Sequence, residues 1–256
     1  MSLSTLYRNP VPLDRTQHRG KRIRTLSDFS LASKANAMFL ACGEFSEACK
    51  EYVIAFLPVS DAQGNPTQDV TPVAVLGLRQ DENLYVEANG RWDARYLPAY
   101  MRRYPLSYAR TAEEQNSVMV DADWEGFNDT EGELLIEENG EPAPYLQQMM
   151  HFLDVYDADA QRTRLVCERL VALDLMRPVN IDMTMADGSK LSASGLQVID
   201  EQKLKALPDE QALELVRNGV MGLVHAHLIS TTNLPRLTER MALRADAEAK
   251  GAVPAK

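Results

Sequence analysis

The hydrophobic positions of this chain change spacing along its length, and the change divides it into a strand-rich first half and a helical second half. A core segment opens near Ala37 and is punctuated by Gly43. Glu44–Glu51 then carries Phe45, Ala48 and Cys49 on one face at helical spacing and predicts a short helix. Tyr52–Leu57, aromatic and β-branched, predicts a strand. Ser60–Pro66, with Gly64, Asn65 and Pro66, reads as a loop. Val70–Leu78 predicts a second strand with Pro72 at its start or on a sheet edge, because proline cannot donate to a ladder.

Three dipeptides suggest hairpins. Leu84–Ala88 and Arg91–Tyr96 flank Asn89-Gly90, Leu134–Glu138 precedes Asn139-Gly140, and Val179–Met185 and Lys190–Ser194 flank Asp187-Gly188. Each fits a type I′ turn, which needs positive φ at both central residues. Further on the period is helical. Tyr145–Phe152 continues into Asp159–Met176, with Val166, Cys167, Leu170 and Leu173 as an apolar face ended by Arg177-Pro178. Gly195–Ile199 is a strand, Asp200 caps a helix over Glu201–Ala206, and Pro208 suits the first turn of the next. Gly219 interrupts, Val220–Ile229 is an apolar helix, and Pro235 starts a last one through about Leu243. The expected fold is α+β: an antiparallel sheet built from hairpins, packed with helices mostly from the C-terminal half. The expected organisation is a basic N-terminal arm (1–30), a single α+β domain (31–243) and a flexible tail (244–256).

With 256 residues, 45% of them hydrophobic and 25% charged, the chain is long and apolar enough to bury a core without covalent staples. Its net charge of −10 argues against a general nucleic-acid partner. Within that balance residues 1–24 are basic, with Arg8, Arg15, Arg19, Lys21, Arg22 and Arg24 against Asp14. Such an arm either wraps onto the protein's own acidic surface or docks an acidic partner. The longest apolar run, Val53–Val59, is too short to span a bilayer, and the N-terminus lacks the apolar stretch of a secretory signal. Cys42, Cys49 and Cys167 are sparse and contain no CxxC, so they read as small buried hydrophobes. Together these features predict a cytoplasmic protein.

Little catalytic chemistry is visible. No GxSxG, GxxxxGK[ST], HExxH or GxGxxG motif occurs, catalytic residues are unknown, and neither cofactor nor metal is expected. Asp121, Asp123, Glu125 and Gly126 imitate the start of a calcium loop, but its twelfth position is Gly132, so the segment reads as an acidic loop between strands. His225 and His227 point about 200° apart on a helix and cannot share a ligand; one should face the interior, hydrogen-bonded, and the other solvent. The densest recognition chemistry is Trp92, Tyr96, Tyr100, Arg102, Arg103 and Tyr104. A turn of helix begun at Pro98 would put Tyr100 and Tyr104 on one face with Arg103 beside Tyr100. The segment is either a corner packed into the core or a groove offering aromatic faces and a guanidinium to a peptide or carboxylate.

The segment Tyr96-Leu-Pro98-Ala-Tyr100-Met-Arg102-Arg103-Tyr104-Pro105 also resembles the bacterial SapC family. So do the opening Tyr7-Arg-Asn-Pro10-Val-Pro-Leu13 with His18, Glu44-Phe45, Ala74–Leu78, Asn83-Leu84 and Trp92, and later Asp187-Gly188, Gly195-Leu196, Asp200-Glu201 and Ala226-His227-Leu228. The resemblance spans about Tyr7 to Arg240. It implies an accessory role linked to surface-layer or outer-membrane nutrient-uptake systems, and brings no catalytic residues with it. The leading expectation is a non-catalytic accessory or binding protein for a peptide or protein partner, using Trp92, Tyr96, Tyr100, Arg102, Arg103, Tyr104 and His227. The alternative is an enzyme on a peptide or small carboxylate, with His225 or His227 as acid/base and an arginine clamp. A purely structural surface-layer component is a third option. A homodimer is compatible with the apolar 220–229 helix.

Overall fold

The computed structural model describes residues 6–61, 63–110, 116–184 and 190–249. The arm enters as strand β1 (Pro10–Pro12) and strand β2 (Arg22–Ile23), and the core follows with β3 (Ala37–Phe39). Helix α1 (Phe45–Ala48), β4 (Val53–Ser60) and β5 (Pro66–Val75) come next, then helix α2 (Ala99–Arg102). Strands β6 (Leu106–Arg110), β7 (Asn116–Asp121), β8 (Phe127–Asn128) and β9 (Glu133–Leu134) precede the long helix α3 (Pro144–Ala172). Strands β10 (Met176–Thr184) and β11 (Lys190–Ile199) lead to helices α4 (Glu201–Lys205), α5 (Asp209–Arg217), α6 (Val220–Ser230) and α7 (Leu234–Ala249). The fold is α+β, with most of its helical residues in the C-terminal half.

The strands form three antiparallel sheets, ordered β10-β11-β4-β5-β3, β1-β7-β6 and β8-β2-β9. Pro178 lies inside β10, next to a register shift between Val179 and Ile181. An edge strand tolerates this, because its outer N–H positions need no partner. The expected end of the preceding helix therefore moves. Helix α3 stops at Ala172, Asp174 takes a left-handed φ of 54°, and Arg177-Pro178 is already strand. The β6–β7 pair, Leu106↔Val120 through Arg110↔Asn116, was not foreseen.

Two of the three hairpin signals form a different turn from the one expected. At Asn89-Gly90 the Gly90 N–H donates to Glu87 O and the Glu87 N–H to Arg91 O, both at 2.9 Å. Gly90 has φ of 80°, but Asn89 is not left-handed. This is a type I turn followed by a glycine bulge, and Asn89 spends its side chain accepting from the Arg91 N–H at 3.0 Å. Asn139-Gly140 repeats the arrangement from Glu137 to Glu141. Each closes only one bridge, Val86↔Trp92 or Ile136↔Pro142, so no extended hairpin grows from either. Asp187-Gly188 lies outside the described residues, although β10 and β11 pair on either side of it.

The main core surrounds the five-stranded sheet; a smaller one gathers Ile23, Leu106, Val120, Leu135, Ile136, Leu146 and Leu153. Helix α3 serves both. Leu146 and Leu153 enter the small core, while Val166, Cys167 and Leu170 enter the main one. Its 29 residues span about 43 Å.

The basic arm lies on an acidic segment of its own chain. Lys21 pairs with Asp129 at 2.8 Å, Arg24 with Glu125 at 3.5 Å and with Glu131 at 3.8 Å, and Arg22 donates to Gly132 O. Asp121, fully buried, accepts from the N–H groups of Arg8 and Asn9 and from the Tyr104 hydroxyl. Burial pushes this carboxyl up, but those donors more than offset it and hold it below its ordinary value. The residues that imitate a calcium loop thus fasten the arm.

The later capping signals act as read. Asp200 accepts from the N–H groups of Gln202 and Lys203, and Gly219 turns with φ of 81° before α6. Helix α7 runs past Leu243 to Ala249, and Arg244 donates to Asn83 O and Val86 O. Among the described residues no helix is long and apolar enough to cross a membrane.

Candidate functional site

The predicted cluster is split by the fold into an inner and an outer set. Helix α2 has a single turn before the chain reaches Pro105, which lacks the N–H to continue it. Tyr104 therefore does not share a helical face with Tyr100. It is 5% exposed, gives its hydroxyl to Asp121 and packs edge-on against Trp124 at 5.6 Å. Trp92 is 7% exposed; its indole N–H donates to the Tyr52 hydroxyl at 2.9 Å, and its ring meets Phe29 and Tyr85. The Tyr52 hydroxyl in turn donates to Tyr96 O. These inner rings anchor the corner from below, because a buried tyrosine or tryptophan needs a partner for its polar end.

The outer set is Tyr96, Tyr100, Arg102 and Arg103. Arg102 is exposed, donates to Leu97 O at 3.0 Å, and places its guanidinium 5.2 Å from the Phe152 ring and 5.7 Å from that of Tyr96. Arg103 is caged. Its guanidinium carbon lies 4.4 Å from the Tyr100 ring, 4.8 Å from Tyr156 and 5.6 Å from Tyr7. The Nε atom is buried, and none of the side-chain donors has a hydrogen-bond acceptor among the described residues. Burial raises the Tyr7 hydroxyl to about 12 and pushes that of Tyr156 up as well, each opposed by the Arg103 charge. These two hydroxyls thus stay neutral beside the cation.

Beside this corner runs a groove of about 520 Å³ between Tyr96 and Arg102 on one side and α3 on the other. Phe152, Val155, Asp159 and Arg162 line it at successive helical turns, over about 15 Å of helix. Val155 is 55% exposed and Arg162 is exposed, so an apolar stripe ends in a second guanidinium. Glu44 closes the wall, 7% exposed, accepting from Ala41 N–H at 2.9 Å, Ala99 N–H at 2.6 Å and the Tyr96 hydroxyl at 2.8 Å. Burial outweighs these donors and holds its carboxyl above the ordinary range. Asp159 is engaged by the Gly43 N–H at 3.0 Å.

The histidines do not join this site. His225 faces solvent, and its Nδ1 meets Met221 O at 2.8 Å. His227 has no exposed surface. Its Nε2 accepts from the Ile199 N–H at 3.0 Å and its ring packs on Phe56 at 5.2 Å. The groove lined by Arg102 contains no histidine, so it lacks the acid/base pairing that the enzyme alternative needs. Cys42 and Cys167 are buried and Cys49 is partly exposed, all three as thiols.

Glu44, Tyr7, Phe152, Tyr156 and Arg162 escaped the sequence reading as parts of this site. The spacing of Phe152, Val155, Tyr156 and Asp159 does mark a helical face, but nothing in it says that the face meets α2. No curated protein and no solved structure matches the chain. The model of the SapC family matches residues 13–237, a stretch that takes in the corner, the groove and the buried histidine, and the chain accordingly belongs to the SapC family.

Proposed function

We propose that this SapC-family protein is a non-catalytic accessory protein that recognises a carboxylate-bearing peptide or protein partner at the surface formed by Tyr96, Tyr100, Arg102 and Arg103. The observation that carries the reading is Arg103, a guanidinium held on three tyrosine faces with none of its donors taken up among the described residues. Buried charged donors are normally paired, and a carboxylate would accept from the guanidinium fork in a two-point contact. Arg102 and the apolar stripe of α3 extend the surface along a chain-like ligand. Trp92 and Tyr104 hold the corner in shape. The link to surface-layer or outer-membrane nutrient-uptake systems follows the family resemblance.

The test compares wild type with a Tyr100→Ala/Arg103→Ala double variant in pull-downs from the native host, alongside thermal denaturation of both. The expected result is loss of the captured partner with a nearly unchanged melting temperature. Undiminished capture, or collapse of stability in the variant, overturns the reading.

A further inference from the structure

We propose a second site, which shares only Tyr96 with the first: a cleft that binds a small organic phosphate. It has a volume of about 690 Å³, within the range of small-molecule pockets. Its walls come from the end of α1, from the segment Arg91–Tyr96 and from α7, where Arg236 and Arg240 stand one turn apart on the same face.

Five cations line it (Lys50, Arg91, Arg95, Arg236 and Arg240) against three carboxylates, in a chain whose net charge is −10. Each carboxylate is already engaged. Glu47 pairs with Lys50 at 2.6 Å. Asp93 pairs with Arg240 at 2.6 Å and Arg91 at 3.7 Å. Glu51 accepts from the backbone N–H of Arg95, at 3.0 and 2.9 Å to its two oxygens. The guanidinium groups of Arg95 and Arg236 are left without a carboxylate among the described residues; Arg236 reaches only Lys50 O, at 3.3 Å.

The walls are tied to one another. Asn233, just before α7, donates to Cys49 O at 2.8 Å and Tyr52 O at 3.0 Å, and Arg240 donates to Asp93 O at 3.0 Å. The backbone that carries the cations is therefore held in place before any ligand arrives, which lowers part of the ordering cost of binding. Two unmatched guanidinium forks in one cleft call for a dianion with more than two acceptor oxygens. A phosphate monoester has that charge and three such oxygens, whereas a monocarboxylate satisfies one fork. Tyr96 supplies an aromatic wall for the organic part.

The test is isothermal titration of the full chain with phenyl phosphate, inorganic phosphate and benzoate at fixed ionic strength. One phenyl phosphate should bind per chain, more tightly than inorganic phosphate, with benzoate weaker by about tenfold or more. Arg95→Ala/Arg236→Ala should weaken phenyl phosphate by at least about tenfold. Arg164→Ala/Arg217→Ala removes the same charge elsewhere and should leave the affinity intact. Arg95→Gln and Arg236→Gln singly replace the double variant if its melting temperature falls. Absence of saturable phosphate binding at millimolar concentration, equal losses in both double variants, or benzoate binding as well as phenyl phosphate overturns the proposal.

Discussion

Acidifying the protein from pH 7 to pH 5 makes His227 expensive to keep buried, and the size of that effect follows from its surroundings. The imidazole has no exposed surface, and burial pulls its pKa from 6.5 to about 4. Its Nε2 is committed as an acceptor for the Ile199 N–H, so a proton added there removes that hydrogen bond as well. The unfolded chain takes up a proton near pH 6.5 while the folded chain resists until about pH 4. Stability from this residue is therefore complete above 6.5, declines as pH falls through that window and is gone below about 4. At about 1.4 kcal/mol per pH unit the full loss is roughly 3 kcal/mol, of which about 2 kcal/mol falls between pH 7 and 5. Urea unfolding of wild type and His227→Phe across pH 7 to 5 isolates the term, since other titrating groups are common to both proteins. The variant should be less stable at pH 7 by about 1–3 kcal/mol, because the Ile199 N–H loses its acceptor, and the gap should shrink by about 2 kcal/mol at pH 5. A gap that stays constant over this range, or an imidazole NMR titration centred near 6.5, refutes the reasoning.

Glu44→Ala should cost roughly 2–4 kcal/mol in chemical denaturation, because the buried N–H groups of Ala41 and Ala99 lose their acceptor. Because burial raises the Glu44 carboxyl, wild type should lose stability relative to Glu44→Gln as pH climbs above about 4.5; a flat difference contradicts this. Gly90→Ala meets both a positive φ and the Asp28 carboxylate, 2.1 Å from the new Cβ, and should destabilise by about 2–4 kcal/mol. Gly64→Ala, with φ of 84° and open space around it, should cost only about 1 kcal/mol by the same urea titration. Asp121→Ala should cost about 3 kcal/mol or more and speed amide exchange across Arg8–Leu13, which hydrogen-exchange mass spectrometry would read directly.

The parts of the fold that were legible in sequence are those fixed by local chemistry. The Asp200 cap, the Gly219 break and the strand character of β4 and β5 depend on neighbours a few residues apart. The apolar face of α3 is legible from Val166 to Leu173, but nothing local says that Tyr156, between Asp154 and Asp157, turns inward against Arg103. The turn at Asn89-Gly90 was located but mistyped: the glycine alone takes the left-handed conformation, which the dipeptide does not reveal. The candidate site was legible as a segment only. That Tyr104 goes in while Arg102 stays out is decided by Asp121 and Phe152, partners brought close by the sheets and by α3.

The arm's Pro-Val-Pro strand has a consequence for anyone handling fragments of this protein. It seals the outer rim of β7 with residues of which two bring no N–H, so the ladder ends there and recruits no further chain. A polypeptide trimmed to begin at residue 13, where the family match starts, strips that seal, leaves Asp121 short of two donors and lays bare a pairing edge. Such a truncated product is built to stick to its own copies, and aggregation during its purification would report the missing stopper rather than a defect in the rest of the molecule.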